Sequence, residues 1–291
     1  MDPIIEQMLK QYDSQTLMDK KNHIKEVVQE IILCGLSRAG FFKTAAFYGG
    51  TALRIFYGLD RFSEDLDFSL KVPNPAYNLT EYLPTLDKEI RSYGLNFRLE
   101  LKEKSVDSDI QSAFLKGNTR EHVLMLFADE ALSRSIGSNE IIKIKFEVDT
   151  NPPDFAGFEI KYRLFPIPYE TVLYDMPSLF AGKIHAVLCR AWKNRVKGRD
   201  LYDFVFYRSR GRAVNLKHLN ARLAQTGVVP VEELFSLDDV KKMLCERFES
   251  IDYAQAKQDV LPFIKNPRAR RLEFRFFYCD YRRLEIITEC G

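Results

Sequence analysis

The sequence predicts an α+β fold, with a sheet-bearing domain over residues 1–168 and a mostly helical C-terminal domain over 169–291. Three observations predict it. Asp65-Leu66-Asp67-Phe68 and the stretch IIKIKFEVDT at Ile141 to Thr150 both alternate with the period of a strand. Apolar residues on either side of them recur at helical spacing. Past Pro166 and Pro168 the composition changes, and beyond Pro177 nearly every run reads as helix.

Taken in order, residues 1 to about 46 read as helix, carried by Ile24, Val27, Val28, Ile31 and Ile32 and punctuated by Gly35 and Gly40. Phe47 leads into Gly49-Gly50, which opens a short helix that Thr51 is expected to cap. The aspartate strand follows. Pro73-Asn74-Pro75 breaks the chain before a helix over Leu79 to Tyr93, and Asn96 to Lys104 and His122 to Phe127 read as strands, the latter buried. Ile141 to Thr150 places Lys143, Lys145, Glu147 and Asp149 on one face and Ile142, Ile144, Phe146 and Val148 on the other. An edge strand with a salt-laced outer face is the plainer reading of that pattern. Asn151-Pro152-Pro153 ends it, and Glu159 to Phe165 is a further extended piece. Ser178 is expected to cap a helix bearing Leu179, Phe180, Ile184 and Val187, and Gly198 to allow a turn before a helix starting near Asp200. Small helices, among them SLDDVKKML, lead to a tail that is basic and aromatic at once.

At 291 residues, 46% of them hydrophobic, the chain can bury a sizeable core. Its 43 basic and 41 acidic residues leave a net charge of +2, so any attraction to nucleic acid must come from local clusters. Cys34, Cys189, Cys245, Cys279 and Cys290 form no CxxC pair and have no histidines at zinc spacing, which reads as reduced thiols. His23, His122, His185 and His218 lack a Ser or Cys nucleophile, which argues against triad chemistry. With no basic-apolar-small leader at Met1 and no apolar run of about 18 residues, a cytoplasmic protein away from the membrane is expected.

The chemistry concentrates in Phe47 to Leu70. Asp65 and Asp67 point to one face of their strand, and paired carboxylates repel unless a cation sits between them. Such hard oxygen ligands suit Mg²⁺ brought in with substrate phosphates. Gly49 and Gly50 let backbone N–H groups approach a ligand, and the helix N-terminus behind them can hold an anion. If the two alternating strands are neighbours, Glu147 becomes a third carboxylate, with Asp149 as its rival. A glycine pair opening a helix, two carboxylates on the next strand and a third on a later one form the layout of a nucleotidyltransferase palm, in which metal ions activate an attacking hydroxyl and steady the leaving pyrophosphate. A second feature is basic: from Lys183 to Arg212, Arg190, Lys193, Arg195, Lys197, Arg199 and three further arginines face only Asp200 and Asp203. With Trp192 beside them they read as a wall for RNA, against the plainer reading of a solvated helix face.

GGTALRIFYG, RFSEDLDF, IKFEVDTNPP and SLFAGKIHAVLCR followed by KGRDLYDF together resemble the AbiEii-type nucleotidyltransferase toxins, and related MenT-like proteins, of type IV toxin-antitoxin and abortive-infection systems. The resemblance covers about residues 47 to 207. It implies a DNA polymerase β-like nucleotidyltransferase domain with a mixed sheet, transferring a nucleotide from an NTP to an acceptor such as the 3′ end of tRNA. By position it implies that Gly49, Gly50 and Thr51 meet the phosphates, that Asp65 and Asp67 hold Mg²⁺, that Lys183 reaches the triphosphate and that Asp200 is a further catalytic acid. Gly50 and Asp65 stand further apart than in many polymerase β-like enzymes, which leaves either Ser63 or Thr51 as the hydroxyl nearest the phosphates; the third acid is separately open between Glu147, Asp149 and Asp200. A cognate antitoxin acting without stable contact is implied as well. Transfer of AMP to a protein hydroxyl and a non-catalytic nucleotide-binding regulator are the competing functions. The basic stretch argues against the first and the intact aspartate pair against the second.

Overall fold

The computed structural model describes residues 2–102, 109–190, 196–228, 230, 234–264 and 288–289. Helix α1 (Pro3–Leu9) is capped by Asp2, and α2 (Leu17–Arg38) opens on a reciprocal box between Thr16 and Asp19. Gly35 does not interrupt α2. A Cβ there would lie 3.1 Å from Leu86 and 3.2 Å from Glu89, so the glycine admits a neighbouring helix rather than ending its own. Gly40, at φ +76°, sits just past the end of α2. The helix expected up to residue 46 therefore stops short, and Ala45–Tyr48 forms strand β1.

Helix α3 (Gly49–Tyr57) follows β1 directly, and β2 (Leu66–Leu70) comes next. Helix α4 (Leu83–Ser92), β3 (Arg98–Leu101) and β4 (Ile110–Asn118) lead to α5 (Thr119–Phe127). His122 to Phe127, expected as a buried strand, is thus helical: the Asn118 side chain accepts from Glu121 N and starts a helix where the apolar run alone fits either element. Helix α6 (Glu130–Ser135), β5 (Ile141–Asp149), β6 (Phe158–Arg163) and β7 (Tyr169–Tyr174) complete this part.

Among the described residues the strands form one sheet in the order β3-β4-β5-β2-β1-β7-β6. It is mixed: β2 runs antiparallel to β1 and parallel to β5, while β5 runs antiparallel to β4. Strand β5 is therefore interior, not an edge. Its apolar row Ile142, Ile144, Phe146 and Val148 is buried, as are Leu66, Phe68 and Leu70 of β2. Phe68 anchors this layer, with ring centroids 4.9 Å from Phe47 and 4.8 Å from Phe146.

The remaining helices are α7 (Met176–Cys189), α8 (Gly198–Ser209), α9 (Leu216–Gln225), α10 (Leu237–Glu249) and α11 (Tyr253–Val260). Ser178 is not the cap of α7. Asp175 is, accepting from Ser178 N, while the Ser178 hydroxyl accepts from Gly157 N. Helix α8 begins at Gly198 itself, and a Cβ there would lie 1.8 Å from the carbonyl oxygen of Ala256. Phe180 stacks on Tyr207 at 4.8 Å and Phe204 meets Phe248 at 5.2 Å to form the core here.

The chain divides into two compact units, one of Met1–Thr51, Glu64–Pro152 and Ile160–Leu173, the other of Ala52–Ser63, Pro153–Glu159 and Tyr174–Gly291.

Candidate active site

In the first unit the burial of Leu66, Phe68 and Leu70 fixes the register of β2, because a slip of one residue would turn all three to the other face. Asp67 is thereby held on the opposite, half-exposed face, with Asp65 immediately before the strand. Asp67 is the register partner of Glu147 on parallel β5 and of Tyr48 on β1. The two alternating strands are thus neighbours in the sheet. Ser112 Oγ donates to Glu147 at 3.0 Å, and Lys145 pairs with it at 2.6 Å. Asp149 lies two residues on, accepting from Asn151 N. Among the described residues no group of three or more His, Cys, Asp or Glu is gathered that could hold a metal ion by itself.

Gly49 explains itself at this point. Its φ is +83°, and an added Cβ would stand 2.7 Å from Asp67 Oδ2, so the first turn of α3 closes on that carboxylate only because residue 49 has no side chain. Gly50 follows, half-exposed. Thr51 is not the helix cap: it is buried inside α3, and its hydroxyl donates to the Asp65 carbonyl, tying the helix to the residue that precedes β2. Ser63 lies half-exposed in the loop before Asp65, in the segment assigned to the second unit.

The second unit holds a buried charge cluster. Lys183 Nζ on α7 reaches Asp200 Oδ1 at 2.7 Å and Asp203 Oδ2 at 2.9 Å, both on α8. Arg190 Nη1 contacts the other Asp200 oxygen at 2.5 Å. Arg61 grips Asp203 with a fork, Nε to Oδ1 and Nη2 to Oδ2, each at 2.7 Å. Arg61, Asp200 and Asp203 are 3%, 4% and 0% exposed. Burial alone would raise the Asp200 carboxyl, yet Lys183 and Arg190 hold it down at about 2. Burial likewise opposes the charge of Arg61, and Asp203 outweighs it, raising the guanidinium above its ordinary value. Three cations against two carboxylates leave one net positive charge in the cluster.

In the sequence Arg61 stands out, with Ser63, just before the carboxylates as support for a metal-bound phosphate, but its buried partner does not. The signal was present: an arginine between core residues Leu59 and Phe62 requires a buried acid. Of the residues expected to face RNA, Arg190 is engaged with Asp200, Arg199 lays its guanidinium 4.3 Å from the Phe263 ring centroid, and Lys197 stands half-exposed at the start of α8. Lys193 and Arg195, with Trp192 and the basic tail from Arg268 to Arg283, lie outside the described residues.

The family model described as nucleotidyl transferase AbiEii toxin, type IV TA system, matches residues 31–275. The chain belongs to the AbiEii family. It is accordingly a nucleotidyltransferase toxin of the type IV toxin-antitoxin class, for which an antitoxin is the implied partner. The AbiEii chain is similar to JHP933 from Helicobacter pylori, with 18% identity over 91% of this chain and 93% of that one, at a TM-score of 0.47. A structure described as a nucleotidyltransferase from H. pylori is similar at 18% identity over 90% and 95% of the two chains, with a TM-score of 0.41. No curated protein matches the chain. Among the described residues of this AbiEii member, no helix is long and apolar enough to cross a membrane.

Proposed function

We propose that this AbiEii chain transfers a nucleotide from an NTP to an RNA acceptor, the 3′ end of tRNA, with Mg²⁺ held by the Asp65 and Asp67 carboxylates together with the substrate phosphates. The observation that carries the reading is the placement of Asp67: in register with Glu147 on a parallel strand, with Gly49 clearing space directly against its carboxylate. An all-oxygen donor set of this kind fits Mg²⁺ and not the softer metals. Bound there, Mg²⁺ would neutralise phosphate charge and activate the attacking hydroxyl.

The side chains divide the remaining work. The N–H groups of Gly49 and Gly50 at the start of α3 receive phosphate oxygens. Thr51 keeps Asp65 in place through the hydrogen bond to its carbonyl, and we assign the hydroxyl nearest the phosphates to Ser63. Lys183 supplies a point charge to the triphosphate. Asp200, ionised far below neutral pH by its two cations, is a weak proton acceptor at pH 7, so its contribution is to hold Lys183 rather than to take a proton. Lys197, Arg199 and the exposed end of Arg190 bind the RNA acceptor, Lys193 and Arg195 are assigned to it from their charge in the sequence, and the antitoxin acts without lasting contact.

The test is incubation of the purified protein with each labelled NTP, Mg²⁺ and either total RNA or protein extract. Label should enter RNA, stop with chelator, and stop when the RNA 3′ hydroxyl is blocked. Asp67→Ala should abolish transfer with the thermal unfolding of the wild type. Label on protein, or on 3′-blocked RNA, would overturn the acceptor while leaving nucleotide transfer standing. Unchanged transfer by Asp67→Ala would overturn the metal assignment.

A further inference from the structure

We infer that Arg61 is a positioning residue for Lys183, acting through Asp203. The inference rests on the nucleotidyltransferase reading for its kinetic consequence but not for its geometry. An ammonium has three N–H donors. Asp200 Oδ1 and Asp203 Oδ2 take two of them at 2.7 and 2.9 Å, which fixes the direction of the third and leaves it for an anion. Lys183 is 13% exposed at its side chain, enough for one outside ligand to meet that proton.

The aim of the third N–H is only as steady as the two carboxylates. Asp200 is held from its other oxygen by Arg190. Asp203 is fully buried, and what holds it is the Arg61 fork, in which Oδ2 is shared between Arg61 Nη2 and Lys183 Nζ. Arg61 is itself fixed twice over. Its Nη1 donates to the Phe62 carbonyl at 2.9 Å, and its backbone bridges Ile264 while Phe62 N donates to the Phe263 carbonyl at 2.9 Å. Remove the fork and Asp203 keeps a buried charge whose remaining partner is Lys183. The ammonium is then drawn toward Asp203 and its third N–H turns away. Planarity matters as much as charge here, because a lysine at position 61 offers no parallel pair of donors.

The experiment uses the full chain with ¹⁵N-labelled lysine. In the wild type the Lys183 ammonium, clamped by two carboxylates, gives a slowly exchanging Nζ–H signal, assigned by its loss in Lys183→Ala. Arg61→Met should remove or shift that signal, and Arg61→Lys should fail to restore it. In transfer assays both variants should lose about 100-fold in kcat, the scale of a misplacement near 1 Å. Arg61→Met combined with Asp203→Asn relieves the unpaired buried charge and guards against loss of fold. It should recover the wild-type unfolding temperature without recovering kcat. A folded Arg61→Met or double variant with the wild-type ammonium signal and wild-type kcat would overturn the inference. If the wild type transfers no nucleotide from any NTP yet the signal still depends on Arg61, the nucleotidyltransferase reading fails and the positioning role stands.

Discussion

Gly49→Ala tests the site with a single methyl group. The added Cβ would stand 2.7 Å from Asp67 Oδ2, whereas ordinary contact begins near 3.4 Å, so the carboxylate must retreat by about 0.7 Å. A shift of 1 Å at a reacting centre costs about 100-fold in rate, which puts the expected loss in kcat at about 30-fold. The substitution also places alanine at φ +83°, a strain of about 1 kcal/mol that lowers Tm by about 2 °C in a chain of this length. The two effects differ in kind: the fold barely notices and the chemistry does. Initial rates of labelled-nucleotide transfer across NTP and Mg²⁺ concentrations, paired with a thermal melt, separate them. A Gly49→Ala protein with kcat within twofold of wild type would refute both the ligand role of Asp67 and the reason given for the glycine.

Thr51→Val removes the donor to the Asp65 carbonyl at constant shape, so urea unfolding should show a loss of about 1–2 kcal/mol and transfer should slow as Asp65 loosens. Ser236→Ala dissolves the capping box of α10 and should cost about 1 kcal/mol in the same assay, with transfer unchanged. His185 and His218 are both pushed down to about 4, chiefly by burial. Above pH 6.5 they are neutral folded or unfolded, whereas below it the unfolded chain takes protons that the folded chain refuses. Stability should therefore fall by about 2 kcal/mol per unit between pH 6 and pH 5, and a urea midpoint that stays level over that range would contradict the burial of both rings. Lys183→Ala should weaken NTP binding or turnover, whereas Lys193→Ala should raise the RNA concentration needed and spare NTP binding; equal effects on both substrates would merge two roles kept separate here.

The strands that carry Asp67 and Glu147 were legible because each carries a strict alternation with large apolar residues on one side: Leu66 and Phe68 in β2, Ile142 to Val148 in β5. What alternation could not show was that β5 lies inside the sheet, since its salt-bearing face looks the same at an edge. Strand β4 was hidden by its inward residues, because Ala113 and Gly117 are too small to mark a face. Strand β1, of four residues, disappeared into the helix before it. The run at His122 to Phe127 fits six residues of strand or two turns of helix, and only the cap at Asn118 decides between them. Lys183 and Asp200 were legible through their motif. The partner of Arg61 was not, because that carboxylate is 142 positions away.

Gly198 has a consequence for the gene as well as for the protein. Every missense change of a glycine codon, at its first base or its second, introduces a Cβ, and at this position the nearest atom is a backbone carbonyl 1.8 Å away that cannot swing aside. Helix α8, which carries Asp200 and Asp203, would be forced off α11 by alanine as surely as by valine or aspartate. In a gene whose product is a toxin, the host is relieved by silencing that product. This codon is therefore one where any amino-acid replacement serves, with no need of a frameshift or a stop, and where full-length but silent copies should accumulate in populations kept under expression of the toxin.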